Sequence, residues 1–158
     1  MYKRILVPVE NSPYDTAILR HVRELARLCH ASVVLIHVAD GFAARNVDAL
    51  KLRESEEMRS DRAYLEAVCA DMTSAGVEVD SVLAAGDPSK EIVAAAARER
   101  CDLIAMSTHG HRFVKDVLYG SVANEVRHIT RIPVLLVRGE ADDLHISGER
   151  PAVKATKP

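Results

Sequence analysis

Five short runs of aliphatic and β-branched residues, set apart by longer stretches with helical periodicity, constrain this chain more than anything else in it. The runs are Lys3–Val9 (KRILVPV), Ser32–Ala39 (SVVLIHVA), Val77–Ala84 (VEVDSVLA), Asp102–Ser107 (DLIAMS) and Pro133–Val137 (PVLLV). Most are nearly continuous in apolar residues, the pattern of strands covered on both faces. Val77–Ala84 alternates instead, which places it at a sheet edge. Strands alternating with helices give the order β-α-β-α-β-α-β-α-β, hence an α/β fold with a parallel sheet and right-handed crossovers.

The helical stretches carry their own punctuation. Ile18, Val22, Leu25, Ala26 and Cys29 fall on one face of a first helix. Ser12 is placed as its N-cap, Pro13 in its first turn, and Asp15 three residues after the cap. A second helix is expected from about Ala43 to Ala75, closed by Gly76, with Leu65, Val68 and Met72 as its buried stripe. Between Arg45 and Arg62 it carries five basic and five acidic residues, which reads as a solvated face. A third helix opens at Asp87-Pro88, an N-cap followed by proline at the first position, and runs to about Arg100. A fourth is expected from Ser121 to Thr130, with Val122, Val126 and Ile129 facing inward. The segment from about Gly139 to Pro158 is polar and aperiodic and is expected to be a flexible tail.

Composition narrows the class. A length of 158 residues suits one domain with one core. Lys and Arg total 21 against 23 Asp and Glu, a net charge of -2, without the basic footprint of a nucleic-acid binder. No stretch reaches the ~20 apolar residues that span a bilayer, and Lys3–Pro8 is too short an apolar segment for a signal peptide. Cys29, Cys69 and Cys101 are odd in number and set among aliphatic residues. They read as reduced core residues of a cytoplasmic protein.

In an open parallel sheet, ligands bind beyond the carboxyl ends of the strands, where strand order reverses. The segments to inspect are Glu10-Asn11-Ser12, Ala39-Asp40-Gly41, Ala85-Gly86-Asp87 and Ser107-Thr108-His109-Gly110-His111-Arg112, followed by Gly120-Ser121 at a helix start. A helix N-terminus offers unpaired N–H groups to an anion, and glycine lets backbone approach a phosphate closely. The alternative is that Gly120 is a bend and Ser121 an N-cap. His109 and His111 flank Gly110, but without a nearby Cys or carboxylate cluster they fall short of a zinc ligand set. His37 on a strand, and His21, His30 and His128 on helices, read as structural. Neither a Walker A loop nor a G-x-G-x-x-G turn is present, and no nucleophile elbow marks a hydrolytic triad.

Taken in order, Ile5-Leu6-Val7-Pro8-Val9-Glu10-Asn11-Ser12, Gly86-Asp87-Pro88 with Glu91-Ile92, Asp102 to Gly110, Gly120-Ser121-Val122-Ala123 and Arg131 to Val137 closely resemble the universal stress protein family. The resemblance covers roughly residues 2 to 138, within one domain expected over 1–138. It implies a Rossmann-like (adenine nucleotide alpha hydrolase-like) sheet of five strands in the order 3-2-1-4-5 with helices on both faces. It also implies a homodimer paired through the last strand, Pro133–Val137. One branch of the family binds ATP through G-x-x-G, nine residues, then G-[ST]; another lacks the motif. Here Gly110, nine intervening residues, Gly120 and Ser121 match. Ser107 replaces the first glycine, and Glu10 stands where the family typically has Asp.

By this resemblance Gly110, Gly120, Ser121 and Val122 would meet phosphates; on chemical grounds His109, His111 and Arg112 would add charge near them, and Ser12 is counted with the nucleotide-binding residues. Pro8, Val9, Glu10, Val38, Met106 and Ser107 would line the adenine and ribose side. The implied cofactor is ATP, with or without Mg²⁺, or AMP or ADP; no nucleic acid or membrane partner is implied. Three functions follow: a nucleotide-tuned regulator of the stress response, a nucleotide-independent interaction module, or an ATPase or self-phosphorylating enzyme. The last lacks a general base or a Walker-type Mg²⁺ pairing.

Overall fold

The structure, a computed structural model, describes residues 1–40, 56–109 and 117–139. The runs of apolar residues become β1 (Arg4–Pro8), β2 (Ser32–Asp40), β3 (Val79–Gly86), β4 (Leu103–His109) and β5 (Val134–Gly139). They form one parallel sheet in the order β3-β2-β1-β4-β5, as the resemblance implied. β3 lies at an edge, as its alternation implied. Among the helices, α1 is Asp15–Cys29, α2 Glu56–Ser74, α3 Pro88–Arg98 and α4 Val117–Ile129.

The continuous apolar runs feed two cores, because successive side chains of a strand leave on opposite faces. Ile5 and Val7 of β1, with Val33 and Leu35 of β2, pack against Ile18, Val22 and Ala26 of α1 and Leu65 and Met72 of α2. Leu6, Val34, Ile36, Ile104 and Met106 pack on the other side against Ile92, Ala95 and Ala96 of α3 and Ala123 and Val126 of α4. Ile5, Leu6 and Val7 are all fully buried, each worth about 1.5–3 kcal/mol of transfer free energy. Cys101 belongs to the second core, where burial pushes its thiol up to about 11. Cys29 and Cys69 pack at the margin of the first.

Several boundaries differ from expectation. β1 is one residue shorter at each end, and β3 and β5 begin and end later than their apolar runs. Ladder partners, not side-chain hydropathy, decide where pairing stops: Val79 pairs with Val33, Gly86 with Asp40, and His109 with Gly139. β4 runs on past the Asp102–Ser107 run and so contains Thr108 and His109, which had been placed beyond it. α4 includes Val117, so Gly120 and Ser121 are its fourth and fifth residues, not its start. An amide at the fourth helical position lies at the point where intrahelical bonding begins, so it is a weaker anion donor than those ahead of it. Ile129 is 50% exposed; Ala123 and Val126 make the inward stripe with half-buried Val122. The expected start of the second helix, Gly110, His111, Arg112 and the polar tail beyond Gly139 lie outside the described residues.

Ser12 is not an N-cap. α1 begins at Asp15 without a side-chain cap, and a tight turn precedes it, with the Asp15 N–H donating to Ser12 O at 3.1 Å. The acidic half of the capping box does form: Asp15 accepts the Ser12 N–H at 3.2 Å. α3 follows expectation. Asp87 caps it by accepting the Lys90 N–H at 3.3 Å and the Ser89 hydroxyl at 2.7 Å, with Pro88 at the first position.

Candidate functional site

The order 3-2-1-4-5 makes β1 the strand whose two neighbours, β2 and β4, leave in opposite directions along the chain. A crevice is expected at that switch point, and one is present. An open cleft lies over the carboxyl ends of the central strands. Pro8, Val9 and Glu10 enter it from β1 and the turn after it, and Ile36, His37 and Val38 from β2. Met106 and Ser107 come from β4, Pro88 and Ile92 from α3, and Val122 from α4. The apolar wall is the upper margin of the second core, since Ile36, Val38, Ile92, Met106 and Val122 pack together there.

Of the residues singled out in the sequence, Pro8, Val9, Glu10, Val38, Met106, Ser107 and Val122 meet in this cleft. Ser12 sits in the turn below and does not line it. Its hydroxyl is buried without a hydrogen-bond partner among the described residues. His109 is the last residue of β4, and Gly120 and Ser121 precede Val122 on α4. Gly110 and Arg112 lie outside the described residues.

Ser107 repays inspection because it stands where the nucleotide motif has glycine. Strand alternation sends its side chain to the face opposite Met106, where its hydroxyl donates to Tyr14 O at 3.3 Å. That hydroxyl also fills the space over Gly139, where a β-carbon would stand 3.2 Å from Ser107 Oγ. Serine at this position therefore fastens β4 to the β1–α1 turn, and its hydroxyl is occupied there.

Four contributors escaped the sequence reading of this region. Ile36, Pro88 and Ile92 complete the wall, and His37, read as merely structural, borders it while holding the turn. His37 Nδ1 lies 2.9 Å from Val9 O, and its Nε2 lies 3.1 Å from Asp61 Oδ2. Asp61 belongs to the charge run read as solvated, yet it is buried, and it also accepts the Asn11 amide at 3.1 Å. Its flanking residues Arg59 and Arg62 are exposed as expected. Only the helical phase relative to Leu65, four residues on, could have revealed it.

A second buried carboxylate, Asp15, accepts the Glu10 N–H at 3.1 Å and the Tyr64 hydroxyl at 2.7 Å. Burial, and then that bond to Asp15, push the Tyr64 phenol well above its ordinary range, so it serves as a fixed donor. Among the described residues no group of three or more His, Cys, Asp or Glu is placed to hold a metal ion. No helix among them is long and apolar enough to cross a membrane.

Comparison with known proteins places this geometry. The family model described as the universal stress protein family matches residues 1–138. Universal stress protein MJ0577 of Methanocaldococcus jannaschii is 29% identical, over 87% of this chain and 96% of its own. The solved structure of MJ0577 superposes with a TM-score of 0.72 at 30% identity, covering 89% of this chain and 98% of that one. A universal stress protein of Archaeoglobus fulgidus in complex with dAMP has the same fold, with a TM-score of 0.64, 22% identity and coverage of 85% and 97%. So does a universal stress protein in complex with cAMP, with a TM-score of 0.64, 19% identity and coverage of 88% and 98%. With its strand order, its switch-point cleft and a family match over nearly all the described chain, this protein belongs to the universal stress protein family.

Proposed function

We propose that the chain binds an adenine nucleotide in the switch-point cleft and acts as a nucleotide-tuned regulator of the stress response. The observation that carries this reading is the convergence of Pro8, Val9, Glu10, Val38, Met106, Ser107 and Val122 on one cleft. An adenine ring suits the apolar wall of Ile36, Val38, Met106 and Val122, and the Glu10 carboxylate is the acceptor for a ribose hydroxyl. The triphosphate of ATP, with or without Mg²⁺, would extend toward Gly120 and Ser121 on α4. Two relatives of the same fold hold dAMP and cAMP, which supports adenine nucleotides as the ligand class. Ser107 favours no nucleotide-independent reading, because its hydroxyl is engaged by Tyr14 on the far face of β4.

The working unit in this proposal is a cytoplasmic homodimer joined along β5, an outer strand of the sheet whose Leu136 is 42% exposed. The residues lining the cleft supply binding groups, and no hydrolytic step is assigned to them. Equilibrium dialysis against ATP and against AMP tests the reading. Saturable uptake of one nucleotide per chain is expected; no saturable uptake up to millimolar nucleotide would overturn it.

A further inference from the structure

Behind the β1–α1 turn lies a hydrogen-bonded cluster centred on Asp61 and Asp15, neither of which lines the cleft. Two residues of α2 reach it from one helix face: Asp61, 6% exposed, and Tyr64, one turn later. Asp61 accepts the Asn11 amide through Oδ1 and faces His37 Nε2 through Oδ2, each at 3.1 Å. His37 reaches on to Val9 O at 2.9 Å. Tyr64 holds Asp15, which in turn holds the amides of Glu10 and Ser12.

The proton arrangement in this chain is determined by its partners. The Val9 carbonyl can only accept, so His37 Nδ1 carries a hydrogen. His37 Nε2 then faces the Asp61 carboxylate at 3.1 Å. Asn11 adopts φ 58°, a left-handed conformation that asparagine tolerates better than most residues, and its side-chain amide is tied to the same carboxylate.

These contacts converge on the segment the sheet holds least. β1 ends at Pro8, and beyond it the Val9 N–H to Ile36 O bond at 2.9 Å is the remaining ladder contact among the described residues. Val9 and Glu10 nevertheless form the cleft wall. We infer that Asp61, acting through His37 and Asn11, is a positioning residue that sets the geometry of the Val9–Asn11 wall and thereby the nucleotide affinity of the cleft. The inference rests on the nucleotide reading above and adds to it: α2, none of whose described side chains lines the cleft, governs the cleft's affinity.

The test compares Asp61→Ala with Asp61→Asn in the full chain. Asparagine can donate its amide to the neutral imidazole nitrogen and accept the Asn11 amide through its oxygen, so it can keep the contacts that alanine loses. Asp61→Ala is expected to weaken ATP binding about tenfold or more, because the wall is no longer preorganised. Asp61→Asn is expected to bind within about threefold of native, a difference below 1 kcal/mol. Met72→Ala, fully buried on the same helix and away from the turn, separates lost stability from lost positioning. It should lower Tm and leave the affinity for ATP unchanged.

Native affinity in Asp61→Ala, or equal weakening in Asp61→Asn and Met72→Ala, would overturn the inference. If Asp61→Ala does not fold, His37→Gln, which loses the Val9 contact while keeping a donor for Asp61, should weaken binding in the same direction. Native affinity there would overturn it too. If the native chain takes up no ATP, the nucleotide reading fails, and amide hydrogen exchange decides the positioning claim separately. Exchange at Val9 and Glu10 should then be faster in Asp61→Ala and restored in Asp61→Asn; unchanged exchange would contradict it.

Discussion

At the scale of single residues, the informative departure from the family pattern is serine at position 107. A hydroxyl there threatens a phosphate or ribose approach only if it faces the cleft, and alternation along β4 turns it to Tyr14 O instead. The expected outcome for Ser107→Gly is therefore an ATP affinity within about twofold of native, which is less than 0.5 kcal/mol. Its cost should appear in folding, about 1 kcal/mol for a lost hydrogen bond and a glycine in a strand. Gly139→Ala would put a methyl 3.2 Å from Ser107 Oγ and 3.4 Å from Tyr14 O. Urea unfolding should show it destabilised by about 1 kcal/mol, with part of the loss recovered when Ser107→Gly is added. Strictly additive effects in that double-mutant cycle would show that the two positions do not share the space.

At the scale of elements, helices were legible where a local side chain caps them and misjudged where a distant partner competes. Asp87-Pro88 opens α3 as read, since Asp87 accepts from Ser89 and Lys90 just downstream. Ser12 failed as the cap of α1 because Asp15 gathers the Glu10 and Ser12 amides and the Tyr64 hydroxyl, a partner from α2 that local pattern does not announce. Asp61 was hidden for the same reason: within a run of mixed charges, burial depends on which helix face meets His37. The Asp87 cap carries a pH signature. The Ser89 hydroxyl and the Lys90 amide hold its carboxyl below the usual carboxylate range. A depressed folded value means the cap stabilises fully above the unfolded value of about 3.9 and is lost as pH falls through the folded one. Thermal melts should accordingly show Asp87→Ala less stable than native at neutral pH. The gap should close at pH values below the carboxylate range, and a gap independent of pH would contradict the assignment.

At the scale of the whole molecule, the sheet was legible because each central strand is buried on both faces and so reads as an uninterrupted apolar run. Ile5, Leu6 and Val7 serve two cores within three residues. Strand order is not written in those runs; it came from motif resemblance, and the parallel ladders agree with it. The site was half legible. Residues just past strand ends can be named from topology, whereas the wall supplied by Ile36, Pro88 and Ile92 exists only once α3 packs over β2. Together these features make one claim: the crevice where β2 and β4 diverge from β1 holds an adenine nucleotide. Titration of ¹⁵N-labelled protein with ATP, followed by amide shifts, tests it most directly. Saturable shifts concentrated at Val9, Glu10, Val38, Met106 and Val122 are predicted, and saturable shifts elsewhere, or none up to millimolar ATP, would contradict it.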